Sequence, residues 1–355
     1  MLKSLGMDEQ QRSRPAPLFL FGFSKWKTFM RDWFPKNEVI FGCTKPWPLE
    51  FELYWKRRLL RDPRTQVMAW QYKGPPKLKE FCTRHGITFR YVEDGFLRSV
   101  ALGALHVPPL SLTFDAQDMY FNAEAPTDLE NILRTHDFEG DQALIRRARA
   151  ARERLLASRL SKYNSGKSLD IASVYGSKTR KRVLVIGQVE RDASIAFGCA
   201  RQINNNDLVR LAASENPEAQ IIYKPHPEVL KGTAEAKSDP SLVRDVAMIL
   251  TQDISLADAL ETIDHVYTIT SLSGFEALLR GIKVTTVGCP FYSGWGLTDD
   301  RQPSSRRGRT LSIDEVFAAA YILYAKYLDP VTKQPIEIEQ ALEVLAKLRA
   351  EQMAA

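Results

Sequence analysis

An alternation of short apolar strands and helical stretches runs through the chain twice, with a polar break between the two runs. It limits the fold more than any other feature. In the first run, residues 18–22 (LFLFG), 39–41, 67–70 and 88–92 read as strands, and 48–61 and 76–85 as helices. Residues 126–161 then read as mostly helical. The break is 165–180 (SGKSLDIASVYGSKTR), small and polar, as linkers are. The second run has strands at 182–186 (RVLVI), 219–223, 265–269 and 283–287, with helices at 206–213, 255–261 and 274–280; from 312 the chain reads as helical. Strands alternating with helices through short connections imply parallel sheets covered by helices. The expected class is therefore α/β, with two Rossmann-like doubly wound domains facing a cleft. Its divisions are a flexible leader at 1–16, an amino-terminal domain at 17–168, a carboxyl-terminal domain at 169–330 and a helical tail at 331–355.

Composition narrows the function. A chain of 355 residues suits two domains, and 49 basic against 43 acidic residues leave a formal charge of +6. That surplus suits an anionic ligand or surface, or none. No zinc-finger, RRM or RGG signature points to nucleic acid. Cys43, Cys82, Cys199 and Cys289 are scattered without CxxC spacing, which argues against a structural zinc site or a disulfide framework and fits a reducing compartment. The first 17 residues have no apolar signal core, and the longest apolar run, 316–325, is far short of the ~20 residues that span a bilayer. A soluble or peripheral protein is expected. Residues 23–34 (FSKWKTFMRDWF) put Trp26, Phe29, Met30 and Trp33 on one helical face, suited either to a core or to a membrane interface.

Four motifs follow strands, where a doubly wound fold places its chemistry. Glu93-Asp94-Gly95 offers an acid/base carboxylate on a tight turn, or an ordinary Asp-Gly turn, with Arg98 just beyond as a candidate partner for a substrate carboxylate. In GQVERDASI (187–195), Asp192 suits a nucleophile or a helix cap. In KPHP (224–227), prolines stiffen the loop around Lys224 and His226, which can meet an anion. In TSLSGFE (270–276), hydroxyls and backbone N–H groups at a helix start can hold a phosphate, and Glu276 can accept ribose hydroxyls. Alternatively, the serines are caps and Glu276 completes a capping box. Neither a P-loop nor GxGxxG is present.

In this order the motifs resemble two-domain CMP-sugar glycosyltransferases of the GT-B arrangement. EDGFLRS (93–99), PPLSLTFD (108–115), LSKYN (160–164), GQVERDASI, YKPHPEVLKG (223–232), TSLSGFEALL (270–279) and PFYSGWGLTDD (290–300) are more closely similar to the retaining β-Kdo transferases of bacterial capsule assembly, the KpsC type. The similarity runs over residues 18–345. It is nearest to the carboxyl-terminal module of those two-module enzymes, the one associated with the acceptor's 7-hydroxyl.

The resemblance implies a CMP-β-Kdo donor, retention through two inversions, and a Kdo-bearing lipid-linked acceptor built on phosphatidylglycerol. Asp192 matches the nucleophile, and Glu93 and Asp94 the acid/base element. His226, Pro227, Ser271, Ser273 and Glu276 match donor-binding positions, with Gln188, Lys162, Lys224 and Arg98 grouped around the same anion. No cofactor or metal is expected, since CMP carries one phosphate. The implied location is the cytoplasm of a Gram-negative cell, peripheral on the inner membrane, with Trp26 and Trp33 as candidate anchors. Rival readings are a nucleotide-sugar epimerase on the same fold and a catalytically silent assembly adaptor.

Overall fold

The computed structural model describes residues 13–43, 48–100, 106–162, 164, 169–230, 232 and 237–354. Residues 1–12 of the leader, and 165–168 at the start of the polar break, lie outside them. Two sheets carry the fold. The first is built from β1 (Ala16–Phe21), β2 (Asn37–Phe41), β3 (Gln66–Trp70), β4 (Thr88–Asp94) and β5 (Ser111–Asp115). The second is built from β6 (Arg182–Ile186), β7 (Gln220–Lys224), β8 (Met248–Ile249), β9 (His265–Thr268), β10 (Lys283–Thr286) and β11 (Asp299–Asp300).

The second sheet is parallel throughout, in the order β11-β10-β9-β6-β7-β8. Its strands read as unbroken apolar runs because helices cover both faces. Along β6, Leu184 and Ile186 face one cluster with Ile222 and Val266, while Val183 and Val185 face another with Tyr223 and Tyr267. The chain leaves β6 toward β7 and returns to its other side as β9. The loops after β6 and β9 therefore diverge at a topological switch point, where such sheets bind ligands.

In the first sheet β2, β1, β3 and β4 are parallel, and β5 runs antiparallel to β4. Two further strands, β12 (Lys326–Leu328) and β13 (Pro335–Ile336), extend this sheet beyond β5. The division at 330 therefore does not match the hydrogen bonding, because the chain returns to its first half before that point. Helices α1 (Asp128–Thr135) and α2 (Gln142–Ala157) share one core with residues 275–345, from Phe275 and Trp295 to Leu345. The last helix, Ile338–Ala354, is tied to α2 by Arg147–Glu339 and Arg154–Glu343 ion pairs. Asp115, at the end of β5, accepts from the amides of Gln117, Asp118 and Asp128 and from the Tyr324 hydroxyl, which pins the returning segment.

Residues 27–33 form a short helical turn whose apolar face turns inward. Phe29 and Met30 are buried, Trp33 packs on Phe114, and Trp26 stacks on His106. This places Trp26 and Trp33 against the protein, not at a membrane, and corrects their assignment as anchors. No helix among the described residues is long and apolar enough to cross a membrane.

Candidate active site

A cleft of about 290 Å³ opens at the carboxyl ends of both sheets, lined from one side by Glu93, Ser161 and Lys162 and from the other by the loops after β6, β7 and β9. Gly95 lets β4 end in a turn pressed on β5. A Cβ there would lie 2.2 Å from Ser111 Oγ and 2.7 Å from its Cβ. Glu93 and Asp94 point to opposite sides, as neighbours on a strand do. Glu93 lines the cleft; its Oε1 accepts from the Asp94 amide and its Oε2 is buried without a partner. Burial, then the charge of Asp94, pushes Glu93 up to about 7.

Asp94 turns the other way and binds Arg98 Nε at 2.7 Å. Arg98 is 1% exposed, and its remaining nitrogens donate to Ser99 Oγ and the Val107 carbonyl. Arg98 does not line the cleft. It clamps Asp94, and this replaces its expected role as a substrate ligand. The pair contains a second cation that the sequence did not mark. Lys27 is buried with its Nζ 3.1 Å from the Trp70 ring centre, and burial brings it down to about 8 against the pull of Asp94 and Glu93. Two carboxylates and two cations thus sit together behind one cleft wall.

Asp192 caps α3 (Ala193–Gly198), its Oδ1 accepting from the Ser194 amide at 2.7 Å. It also lines the cleft and is exposed to it, so its capping bond leaves the carboxylate facing the site. The loop that carries it is fixed from beneath. Glu190 is buried and accepts from the amides of Asn205, at the start of α4 (Asn205–Glu215), Lys237 and Ser238 and from the Ser238 hydroxyl. Gln188 joins this loop to the one after β9, donating to Thr270 Oγ1 at 3.1 Å and accepting from the Thr270 amide at 2.8 Å. Its task is positioning as well as lining.

Lys224 closes β7, one residue later than the sequence places the strand end, and its carbonyl accepts from the Gly187 amide. His226 lines the cleft beside Pro227. Its Nδ1 accepts from the Glu228 amide at 3.2 Å. Burial holds His226 down to about 4, with Asp192 pulling up and Lys224 pushing down. At neutral pH the ring is uncharged, and with Nδ1 an acceptor its proton sits on Nε2, ready to donate.

Ser271 caps α5 (Leu272–Leu279), its Oγ accepting from the Ser273 amide. Glu276 makes no capping box. It lies inside α5, 3% exposed and lining the cleft, where its Oε1 accepts from the Lys162 amide at 3.1 Å and its Oε2, 3.9 Å from the Arg280 guanidinium, has no hydrogen-bond partner. Burial raises it to about 7 against the pull of Arg280 and Lys162. Gly274 lets the helix start lie on Tyr292, whose hydroxyl donates to the Ser271 carbonyl at 2.5 Å; a Cβ would meet that hydroxyl at 2.3 Å. The segment 253–256, after β8, completes the wall and carries no motif by which the sequence could have marked it. Among the described residues, no group of three or more His, Cys, Asp and Glu is placed to hold a metal.

Residues 65–327 match the model of a family described as capsule polysaccharide biosynthesis protein. The chain belongs to that family. It is 50% identical over 268 residues to the lipopolysaccharide-processing protein LpsZ of Rhizobium meliloti, and 41% identical over 282 to the capsule polysaccharide modification protein LipA of Neisseria meningitidis serogroup A. Those stretches cover 76% and 79% of this chain but only 61% and 39% of the relatives, so the chain spans part of their length. Two solved structures from Thermosulfurimonas dismutans cover 94% of this chain and 99% of their own. These are KpsC, beta Kdo 2,4 transferase (TM-score 0.78, 31% identity) and KpsC, beta Kdo 2,7 transferase (TM-score 0.71, 30% identity). The fold is thus GT-B-like, as the motif order implies. Its greater overlap is with the 2,4 transferase, whereas the motifs lean toward the 7-hydroxyl module.

Proposed function

We propose that the chain is a retaining β-Kdo transferase that takes Kdo from CMP-β-Kdo and passes it to a Kdo-bearing, lipid-linked acceptor in surface-glycan assembly. The observation that carries this reading is the sharing of one cleft by Asp192, an unpartnered Glu93 oxygen, and the His226, Ser271 and Glu276 set. The likeness to two Kdo transferases supports the sugar.

In the first displacement the Asp192 carboxylate attacks the anomeric carbon. The bond from that carbon to the phosphate oxygen breaks, and its electron pair leaves with CMP. The His226 Nε2–H and the amides at the start of α5 face the departing phosphate and stabilise its charge. Glu276 Oε2 takes a ribose hydroxyl. In the second displacement the acceptor hydroxyl oxygen attacks the same carbon, the bond to Asp192 breaks, and Glu93 receives the hydroxyl proton. A group held near 7 can accept and release that proton at neutral pH. Lys162 and Lys224 balance the carboxylate and phosphate of the donor. A monophosphate leaving group gives no diphosphate for a metal to bridge, so the reading needs none. Work on a lipid-linked acceptor fits a place on the cytoplasmic face of the inner membrane.

Thermal stability in CMP, UDP and GDP tests the donor class. Selective stabilisation by CMP is expected. Stabilisation by UDP alone would favour the epimerase, and none by any nucleotide would favour the silent adaptor.

A further inference from the structure

We propose that the helical run over 48–59, with Leu60 and Arg61, is a docking surface for an anionic lipid bilayer. Phe51, Trp55 and Leu59 pack inward on the first sheet. On the outer side stand Leu49 at 70% exposure, Leu53 at 63%, Tyr54 at 50% and Leu60 at 50%. These are half of the eight large hydrophobic residues so exposed among the described residues, on one short run. Leu49, Leu53 and Leu60 are spaced by four and seven, which aligns them along one stripe.

The charges around the stripe select the occupant. Glu52 is bridged to Lys56 at 2.5 Å, and Glu50 accepts the Trp55 indole N–H at 2.9 Å. Arg58 donates to the Tyr54 hydroxyl at 2.6 Å. Arg57 and Arg61 are exposed and follow Leu53 at four-residue steps. The neighbouring helix Leu78–Arg84 packs on the same sheet face and adds Lys77, exposed at its start. Its acid, Glu80, is bridged to Arg84 at 2.7 Å. The surface therefore shows leucines rimmed by cations, with its carboxylates already partnered. Leucines enter the headgroup boundary while arginines reach its phosphates. A second copy of this face would bring the same cations together and be repelled. The run starts seven residues after Phe41, at the end of the first sheet that also carries Glu93, so a docked protein holds its cleft near the lipid.

Vesicle co-sedimentation tests this without donor or acceptor, so its result is separate from that of any transfer assay. The wild-type protein is expected to bind phosphatidylglycerol/phosphatidylethanolamine vesicles and to bind phosphatidylcholine vesicles weakly, with salt releasing it. L53E/L60E is expected to lose tenfold or more, since it removes two apolar insertions and adds two like charges, about a factor of five each. R57Q/R61Q, which disturbs no packing, is expected to lose about fivefold per residue. Failure of the wild type to bind the anionic vesicles, or equal binding by both variants, overturns the proposal. So does a wild-type dimer in light scattering that L53E/L60E converts to monomer, which would assign the stripe to a second copy.

Discussion

Replacing Glu276 by Gln should stabilise the protein at high pH while weakening nucleotide binding. Glu276 is 3% exposed, one of its oxygens has no hydrogen-bond partner, and its folded value is raised from 4.5 to about 7, chiefly by burial. The sign follows from linkage. Below 4.5 the carboxyl is protonated in both folded and unfolded chains and costs nothing. Between 4.5 and about 7 only the unfolded chain ionises, so folding loses stability as pH rises. Above 7 the loss is complete, about 3 kcal/mol at 1.36 kcal/mol per tenfold change. Gln keeps an oxygen for the Lys162 amide and carries no charge. It also leaves Arg280, 3.9 Å away, without its carboxylate, which offsets part of the gain. The expected net gain at pH 8 is about 1–2 kcal/mol, a rise of roughly 1–3 °C in Tm for a chain of this length. CMP affinity should fall about 10- to 100-fold, since a hydrogen bond to a charged group contributes about 1.5–3 kcal/mol. Scanning calorimetry from pH 4.5 to 8 and titration calorimetry with CMP read both. A variant less stable than wild type at pH 8, a stability gap that does not grow with pH, or unchanged CMP affinity would refute the reasoning.

Asp192→Asn should abolish transfer while keeping the α3 cap and CMP binding; Asp192→Ala should do the same at an added cost of about 1 kcal/mol for the lost cap. Turnover by purified Asp192→Asn would remove Asp192 as nucleophile. Lys27→Met should move the acidic limb of the pH–rate profile upward, because Lys27 helps to hold Glu93 down, and Lys27→Arg should restore it. Asp94, Arg98, Lys73 and Lys162 remain as the other charges bearing on this pair, and an unmoved limb would show that Lys27 is structural only. Gly95→Ala should lower stability by about 1–3 kcal/mol, since its Cβ would overlap buried Ser111. An unchanged Tm would show that β5 yields at that point.

Strands with both faces buried were legible in the sequence because they leave runs such as RVLVI, bounded by glycine or proline. The strands β5, β12 and β13 were not. They are antiparallel, two of them have three residues or fewer, and β12 pairs with a partner more than 200 residues earlier. The same return hid the true division of the chain, since the core around Phe96, Phe275 and Tyr321 is assembled from both ends. Asp192, His226, Ser271 and Glu276 could be found because each follows a strand of a doubly wound sheet. The roles of Arg98 and Lys27 could not. Arg98 stands four residues after Asp94, but only the turn at Gly95 brings them into contact. Lys27 lies off the face that carries Trp26, Phe29, Met30 and Trp33 in the sequence pattern, and its burial between Trp26 and Trp70 comes from tertiary packing.

The most direct measurement is a transfer reaction with the purified protein, CMP-Kdo generated in situ and a synthetic acceptor ending in β-Kdo, with NMR of the product. The account predicts a new β-linked Kdo whose formation requires Asp192, with the attachment site distinguishing the 4- from the 7-hydroxyl. An α-linked product, or a β-linked one formed equally well by Asp192→Asn, would contradict it.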